Sequence, residues 1–388
     1  MENRNFKVLF ITHADGMGGA NHSMLQLMVE LRDVYGVEVV LMAPKPRKSI
    51  KWTVQEECKR LKIKCISCSY GWFKGTGYKF IIKYILNIIY YPIILYKLRN
   101  IHFDIVHSNG SVIDIGAVIS RIRHIKHVWH LREFGRLDFS LNSFGGKYYE
   151  KFVYTGGDCF IAISQKIKDY FSSVIPCEKI HTIYNGIKIP PGQCNSLHTN
   201  AKIQFCVVGN IAEGKNQIEA LKAIKILVHK FNCHNFHLTF IGYEFHEYKS
   251  VLLKHIEQFG LNEYVTFKGE CKNVSEVLKT MDVGLMLSKN EAFGRVTVEY
   301  MMHGLAVIAS NAGANEEIIS NNEDGLIYHL GDSEELAICM KRLIDDQSFM
   351  IELSEKGRQK ALNRFTSDKN TKAVYDLYLS LLKTARCS

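Results

Sequence analysis

The chain lacks several features that would place it in a specialised class of protein. No block of lysine and arginine is dense enough to favour nucleic acid, although the formal net charge is +10, and no standard nucleic-acid-binding motif is present. The polar start runs directly into an apolar strand, unlike a secretory signal peptide. Hydrophobic content of 47% and charged content of 23% are instead typical of an ordinary globular protein.

Cysteine is present, but its pattern favours neither disulfides nor zinc. The 11 cysteines are odd in number and scattered, which disfavours a disulfide framework and favours a reducing cytoplasm. Cys65 and Cys68 form a lone C-x-x-C, with no second ligand pair at a zinc-finger spacing. We therefore predict ordinary thiols, no metal site and a cytoplasmic location.

Long uninterrupted apolar runs are also absent. The most apolar segment, Tyr78–Leu98, is interrupted by Lys83 and Pro92, whereas a membrane-spanning helix needs about 20 mainly apolar residues. Two interpretations remain for this segment. It forms either a pair of helices packed on a sheet, or an amphipathic face whose basic residues rest on an anionic membrane.

Apolar strand-like runs alternate with helical patterns, which predicts an α/β fold with parallel, doubly wound sheets. The length of 388 residues favours two Rossmann-like domains. A polar run with two prolines at Ile189–Ala201 predicts the boundary, giving domains of residues 1–189 and 190–366. The predicted strands are Val8–Thr12, Val37–Ala43, Cys65–Ser67, Ile105–Ser108, His127–His130, Cys159–Ile163, Gln204–Gly209, His237–Ile241, Val265–Lys268, Val283–Leu287 and Ala306–Ser310.

The most informative stretch runs from Ser288 to Glu299, between a predicted buried strand and a predicted helix at Val296–His303. Glu291 lies in the loop, and Glu299 lies about one turn into the helix. The backbone between them forms a helix N-terminus, which is a ready anion site. Two carboxylates around a phosphate cradle suit a sugar nucleotide, with hydroxyls held by the acids and the diphosphate by the helix end.

The loop Gly209–Asn216 also joins a strand to a helix and nearly matches the P-loop pattern G-x-x-x-x-G-K-[ST]. Asn216, however, occupies the position where a serine or threonine hydroxyl must bind Mg²⁺. This departure disfavours a P-loop phosphotransferase. The remaining inference is that Lys215 places a positive charge beside a phosphate.

In the first half, Gly18 and Gly19 join the first strand to the first helix and allow close approach to a phosphate or sugar. They are not part of a G-x-G-x-x-G fingerprint, so a nicotinamide site is not predicted. His130 ends a strand and is a candidate for contact with a donor sugar, with His13 and His107 as rivals. Arg132 and Glu133 are candidates either to contact the acceptor or to position the loop. Asn185-Gly186 is predicted to be a turn, either a plain turn or one that shapes the inter-domain hinge.

Taken together, these positions resemble the retaining glycosyltransferases of family 4, of the bacterial surface-polysaccharide type, which have the GT-B fold. The strongest match is Glu291–Glu299, the family's E-x7-E motif. The resemblance implies two Rossmann-like domains facing a central cleft, with residues 367–388 forming a helix that crosses back to the first domain. Other matching positions are Gly18, Gly19, His130, Asn185, Gly186, Lys215, Gly304, Gly313 and Glu317.

The resemblance also implies a role for each matching residue. Glu291 would bind hydroxyls of the donor sugar, Glu299 the nucleotide ribose, and Lys215 the diphosphate leaving group. His130 would lie beside the sugar. The implied catalytic residues are Glu291, His130 and Lys215, and the implied donor-binding residues are Gly18, Gly19, Asn210, Lys215, Phe293, Gly294, Arg295, Val296 and Glu299.

Two positions depart from the family pattern. Asn210 stands where the family usually has an arginine, and Ala292 stands where it often has glycine. One phosphate-binding charge is therefore missing, and Arg295 or another residue would have to replace it.

The implied activity is transfer of a hexose-type sugar from a UDP- or GDP-linked donor, without metal or other cofactor, and with retention of configuration. The implied acceptor is a glycan or a polyprenyl-diphosphate-linked oligosaccharide of a capsule or O-antigen. The implied location is the cytoplasm, with peripheral membrane contact through Tyr78–Leu98 as an option. The alternative is a non-catalytic GT-B partner subunit, which the presence of Lys215, Glu291, Glu299 and His130 disfavours.

Overall fold

A computed structural model describes residues 6–50, 52–75, 78–135, 142–143, 146–191, 202–271 and 273–384. The chain divides into two compact units. Unit 1 comprises Met1–Gly186 together with Ser367–Ser388, and unit 2 comprises Ile187–Thr366. Most of the predicted boundary at Ile189–Ala201, from residue 192 onward, lies outside the described residues.

Unit 1 is built on a parallel sheet whose central strands are buried on both faces. Its strands are β1 (Lys7–Thr12), β2 (Glu38–Pro44), β3 (Lys64–Cys68), β5 (Ile105–Asn109), β6 (Lys126–Leu131), β8 (Cys159–Ala162) and β9 (Ile180–Thr182), and a separate antiparallel pair is β4 (Lys74–Gly75) with β7 (Asn142–Ser143). The order β3-β2-β1-β5-β6-β8-β9 grows outward from β1 in both directions. This order is that of a doubly wound Rossmann-type sheet.

Helices cover both faces of this sheet. They are α1 (Gly19–Tyr35), α2 (Val54–Arg60), α3 (Tyr78–Leu98), α4 (Ile115–Arg123), α5 (Gly146–Tyr154), α6 (Gln165–Phe171) and a terminal helix, Ser367–Thr384. On one face, α1 packs with Val374, Tyr375 and Tyr378 of the terminal helix. On the other face, α3 and α4 bury Ile94 and Ile119 against the strands.

Unit 2 repeats the same architecture on a smaller parallel sheet. Its strands are β10 (Ile203–Val208), β11 (Phe236–Ile241), β12 (Val265–Gly269), β13 (Val283–Met286), β14 (Ala306–Ser310) and β15 (Leu326–Tyr328). The order is β12-β11-β10-β13-β14-β15, so the direction of winding reverses at the β10–β13 pair. Its helices are α7 (Gln217–His229), α8 (His246–Gln258), α9 (Val274–Leu278), α10 (Arg295–Met302), α11 (Asn315–Ile318), α12 (Ser333–Asp345) and α13 (Gln347–Arg364).

The predicted α/β fold with two doubly wound parallel sheets is confirmed. The strands β9 and β15 were not predicted, because three residues are too few for an apolar pattern to stand out. The predicted pair of helices at Tyr78–Leu98 is wrong, since the segment forms one helix that contains Pro92. Proline removes one backbone hydrogen bond, but Pro92 and Ile88 are both exposed, so water can hydrate the carbonyl that loses its partner.

Within the described ranges, no helix combines the length and the apolar character that crossing a bilayer requires.

Candidate functional site

The candidate site of unit 2 lies at the point where its sheet reverses direction. Strands β10 and β13 are direct neighbours there, so the loops that follow them emerge side by side at the carboxyl edge of the sheet. The backbone N–H of Lys289 donates to the carbonyl of Gly214 at 3.1 Å and ties the two loops together. Open α/β sheets bind their ligands outside such a switch point.

Lys215 and Glu291, predicted separately from these two loops, form an ion pair. The Nζ of Lys215 lies 3.2 Å from Oε2 of Glu291 and 3.2 Å from the hydroxyl oxygen of Ser288. The side chains of Lys215 and Glu291 are 37% and 18% exposed, so both remain accessible to a ligand. Ser288 is buried and was not predicted as a contact of the lysine.

Glu291 is held in place by backbone groups on both sides. Its Oε1 accepts a hydrogen bond from the N–H of Gly294 at 3.3 Å, and its own carbonyl accepts from Ala314 at 2.9 Å. Gly294, the N-cap residue just before α10, has φ of +96°, and Gly313 has φ of +61°. A Cβ on Gly313 would lie 2.1 Å from the carbonyl oxygen of Glu291. Only glycine is compatible with this approach of the two loops.

The second acid of the motif is also paired. Nε of Arg295 lies 2.9 Å from Oε1 of Glu299, one helical turn further along α10. Arg295 thus contacts Glu299, the residue predicted to bind the ribose. That Arg295 replaces the missing phosphate-binding charge stays a prediction. Asn210 is exposed, and its carbonyl accepts from Gln217 at 2.9 Å. Phe293 is buried against Phe365, and Val296 is half-buried.

Asn216, which breaks the P-loop pattern, has a structural role. It is in the left-handed region with φ of +57°, a conformation that asparagine tolerates better than most residues. Its side-chain amide donates to the buried carboxylate of Glu219, which also accepts from the hydroxyl of Tyr328 and the N–H of Gly331. Burial raises the pKa of Glu219 above its ordinary value despite these bonds.

In unit 1, Gly18 and Gly19 lie where the loop after β1 meets α1, and both are exposed. Asn21 of α1 fixes the shape of this loop by donating to the carbonyls of Gly16 at 2.8 Å and Ala14 at 3.2 Å. Nothing in the described structure lies within 4 Å of a Cβ built on Gly18. Hydrogen bonds from Asn21 therefore fix the conformation of this loop, and Gly18 is accessible to a ligand.

His130 lies at the end of β6, fully buried, in a chain of hydrogen bonds that fixes its tautomer. Nη2 of Arg132 lies 3.3 Å from its Nδ1, and a guanidinium can only donate, so this nitrogen must accept. His107 contacts the same atom through Nε2 at 3.2 Å and therefore also donates. The Nδ1 of His107 then accepts from the hydroxyl of Tyr378 at 2.6 Å.

This assignment places the proton of His130 on Nε2. That nitrogen is buried and has no hydrogen-bond partner among the described residues. Burial, Arg132 and His107 hold the pKa of His130 well below its ordinary value, and burial does the same for the pKa of His107. His130 is thus a neutral N–H donor at physiological pH.

Two matches to models of known families cover most of the chain. The model described as Glycosyltransferase Family 4 matches residues 17–189, and the model described as Glycosyl transferases group 1 matches residues 195–360. The chain belongs to glycosyltransferase family 4.

Curated relatives of this family 4 protein match it in part. The capsular polysaccharide biosynthesis glycosyltransferase CapH of Staphylococcus aureus is 29% identical over 203 residues, which is 52% of this chain and 54% of CapH. The N-acetyl-alpha-D-glucosaminyl L-malate synthase of Bacillus anthracis is 27% identical over 132 residues, or 34% of this chain and 35% of the synthase. The alignments therefore span about a third to a half of these relatives.

A solved structure of Anabaena HepE in complex with UDP and glucose has a TM-score of 0.79 to this family 4 protein at 19% identity. The likeness covers 97% of this chain and 100% of HepE. It shows that the fold is GT-B, as the sequence predicted.

Some of the site residues predicted from the sequence contact one another in the structure, and others do not. Lys215 and Glu291 come together, as do Arg295 and Glu299, and His130 contacts Arg132. Asn185, predicted as part of a turn, is buried and accepts a hydrogen bond from Nη1 of Arg132 at 2.6 Å. Ser288 and Tyr378 were missed, because the pattern around each is that of ordinary core packing.

Proposed function

We propose that this family 4 protein transfers a hexose-type sugar from a nucleotide sugar to a hydroxyl of a glycan or lipid-linked oligosaccharide, with retention of configuration. The observation that carries the proposal is the Lys215–Glu291 pair beside the N-terminus of α10, at the switch point of the unit 2 sheet. A cation, a helix N-terminus and a sugar-binding carboxylate are thus gathered within one ligand-sized region.

In the proposed reaction, the bond between the anomeric carbon and the donor diphosphate breaks. The acceptor hydroxyl attacks that carbon from the same face, and its proton passes to the leaving phosphate. Lys215 and the N-terminus of α10 stabilise the charge that develops on the diphosphate, so we propose a reaction without a metal. Glu291 positions the sugar hydroxyls, and Glu299 binds the ribose. The roles that the family implies for Gly18, Gly19 and His130 stay predictions.

The relatives support a donor and a pathway class. HepE has been solved with UDP and glucose, which supports a UDP-linked hexose donor. CapH is named for capsular polysaccharide biosynthesis, which supports a surface-polysaccharide acceptor. We propose that the reaction takes place in the cytoplasm.

A panel of UDP- and GDP-linked hexoses tests the proposal directly. Binding is measured by calorimetry, and donor breakdown or transfer by mass spectrometry. We expect one donor to be bound and turned over. Lys215→Ala should lower kcat by about 10²–10³, as is typical when one preorganised charge is lost. Lys289→Ala is the matched control, because Lys289 lies in the neighbouring loop, is exposed and pairs with Glu213.

Three outcomes separate the alternatives. Turnover that falls in Lys215→Ala but not in Lys289→Ala supports the enzyme, and the proton coupling constant at the product's anomeric carbon reports retention. Binding of a nucleotide sugar without any turnover, alone or with a broad acceptor set, would favour the non-catalytic partner subunit. Absence of binding to every donor in the panel would refute the proposal.

A further inference from the structure

The helix α3 has one face in the core and the opposite face in solvent, and both faces contain large apolar residues. Tyr84, Asn87, Ile94 and Leu98, at successive spacings of three, seven and four residues, share one face of the helix and are buried. The exposed apolar residues lie on the other side: Ile82, Ile85, Leu86, Ile89, Ile93 and Tyr96, with Ile88 beside them. Ile85 and Ile89 are 52% and 57% exposed, so this stripe is not part of the core of unit 1.

The neighbouring helix α5 extends the apolar surface. Tyr148 and Phe152, four residues apart, are 91% and 60% exposed. At the end of α4, Ile122 is exposed as well. Exposed apolar surface of this extent is unusual on a soluble domain and marks an interaction site.

Hydrogen bonds hold the three helices beside one another. The hydroxyls of Tyr84 on α3 and Tyr149 on α5 contact each other, and Tyr91 of α3 donates to Asp114, just before α4, at 2.6 Å. At the end of α3, the carbonyl of Leu98 accepts from Arg123 of α4 at 3.1 Å. The exposed apolar residues of α3, α4 and α5 thus lie on neighbouring helices, and together we call them the apolar face.

Arg121 completes the connection between α4 and α5. Its Nη2 donates to the carbonyl of Phe152 at 2.7 Å and to the hydroxyl of Thr155 at 2.8 Å, while its guanidinium lies 4.8 Å from the centre of the Phe152 ring. The guanidinium of Arg121 thus lies next to the exposed ring of Phe152.

The charges around the apolar face are mostly positive. The sequences of α3 and α4 contain no acidic residue, and Glu150, the one acid within α5, pairs with Lys74 at 3.4 Å. Exposed basic residues surround the face: Lys97, Arg99, Arg121, Lys147 and Lys151. A groove at the end of α4 adds Lys179 and a Lys126–Asp158 ion pair at 3.0 Å.

We propose that the apolar face binds the surface of an anionic lipid bilayer, with the isoleucines and aromatic rings inserted at the headgroup boundary. Charge complementarity between the basic residues and anionic lipid headgroups favours a membrane over other partners. A ring of cations around an apolar stripe matches anionic headgroups above acyl chains, and tyrosine favours that boundary. A second copy of this chain would bring the same cations against one another, which costs free energy. The proposal does not depend on the reaction proposed above.

Cosedimentation with vesicles tests the proposal on the full chain. Vesicles of phosphatidylcholine are compared with vesicles that also contain phosphatidylglycerol. The first variant is Ile85→Gln with Ile89→Gln, and its matched control is Leu253→Gln with Ile338→Gln, two similarly exposed positions in unit 2. The second variant is Lys147→Gln with Lys151→Gln, and its control is Lys254→Gln with Lys268→Gln, also exposed positions of unit 2.

We expect the wild type to bind the anionic vesicles and to dissociate as salt is added. The isoleucine variant should bind about tenfold more weakly or worse, from the lost apolar insertion. Each lysine substitution should weaken binding about fivefold, and both controls should bind like the wild type. Nucleotide-sugar affinity in solution, measured on the same samples, should not change in any variant.

Three results would overturn the proposal. The first is a wild type that does not bind anionic vesicles. The second is an isoleucine variant that binds them as tightly as its control. The third is analytical ultracentrifugation that shows a dimer dissociated by the isoleucine variant, since the occupant would then be a second copy. Unchanged thermal unfolding of each variant shows that loss of binding is not loss of fold. Because nucleotide binding is read separately, failure of the sugar-transfer proposal would leave this result unaffected.

Discussion

At the scale of single residues, the position of Glu291 depends on the absence of a Cβ atom at Gly313. The carbonyl oxygen of Glu291 passes so close to Gly313 that a Cβ there would lie 2.1 Å away. In this position the side chain of Glu291 pairs with Lys215. Gly313 also has a positive φ of +61°. The conformation and the close approach both require glycine.

These two requirements can be separated by a matched pair of variants. Gly313→Ala should destabilise unit 2 and abolish donor binding, because the clash moves the Glu291 loop. Gly260 has nearly the same φ of +66° but nothing within 4 Å of a built Cβ. Gly260→Ala should therefore cost only the strain of about 1–2 kcal/mol and keep donor binding. Urea denaturation and calorimetry measure both effects, and equal losses in the two variants would contradict this explanation.

The sequence was sufficient for some of these residues and not for others. Lys215 and Glu291 were predictable, because each follows a strand and glycine-containing loops mark both sites. Their direct ion pair required the strand order, which places β10 beside β13. Tyr378 was not predictable, since it meets His107 across 271 residues and its own helix has an ordinary amphipathic pattern.

At the scale of elements, the terminal helix fixes the tautomer of a buried histidine on β5. The hydroxyl of Tyr378 donates to His107 on β5, which in turn donates to His130 on β6. Replacing this hydroxyl frees the Nδ1 of His107 to carry a proton, so its tautomer is no longer fixed.

Tyr378→Phe should therefore leave the tautomer of His107 undefined while leaving the fold intact. We expect ¹⁵N chemical shifts to report Nε2–H forms of His107 and His130 in the wild type and a mixture for His107 in the variant. Tyr375→Phe is the matched control, because Tyr375 lies on the same helix and stacks on Tyr35 with ring centres 4.2 Å apart. Identical shifts in all three proteins would show that the tyrosine does not set the tautomer.

The same two strands also make stability depend on pH. His107, His127 and His130 are fully buried, and burial lowers the pKa of each, that of His127 to about 4. The unfolded chain, whose histidines titrate near the usual value of about 6.5, therefore binds more protons below that pH. Stability should be complete above about pH 6.5 and fall below it, by about 1.4 kcal/mol per pH unit for each histidine.

Urea denaturation at about pH 7 and about pH 5.5 measures this slope. His127→Gln removes one of the three groups and should therefore reduce the slope, whatever the carboxylates contribute. His124→Gln is the control, a histidine substitution at an exposed position. A slope of His127→Gln equal to that of the wild type would contradict the assigned cause.

At the scale of the whole molecule, the chain leaves unit 1 at Gly186 and returns to it at Ser367. The terminal helix completes the aromatic packing on one face of the unit 1 sheet, where Phe6 contacts Tyr375 and Tyr378 with ring centres 6.0 and 6.1 Å away. The alternation of strands and helices predicted both sheets. It did not predict this packing, because amphipathic patterns show that a face is buried and not which partner buries it.

Removal of residues 367–388 should accordingly destabilise unit 1 alone. Loss of the buried Val374, Tyr375 and Tyr378 should cost at least about 3 kcal/mol, the scale of a large core truncation. Hydrogen exchange should then accelerate in β1 and β5 and stay slow in β10 and β13. Equal acceleration in both units, or none in unit 1, would contradict the division of the chain.

The return of the chain to unit 1 also has a consequence during synthesis. Domains of a nascent chain usually fold in the order in which they leave the ribosome. Here unit 1 is begun first but completed last, since its final helix ends only at Thr384, after the whole of unit 2 has been made. Until then the apolar side chains that Tyr375 and Tyr378 will cover are open to solvent. The period of greatest risk for aggregation therefore falls after unit 2 has been made and before the terminal helix has left the ribosome. A ribosome stalled in that interval would hold a finished unit 2 and an unfinished unit 1.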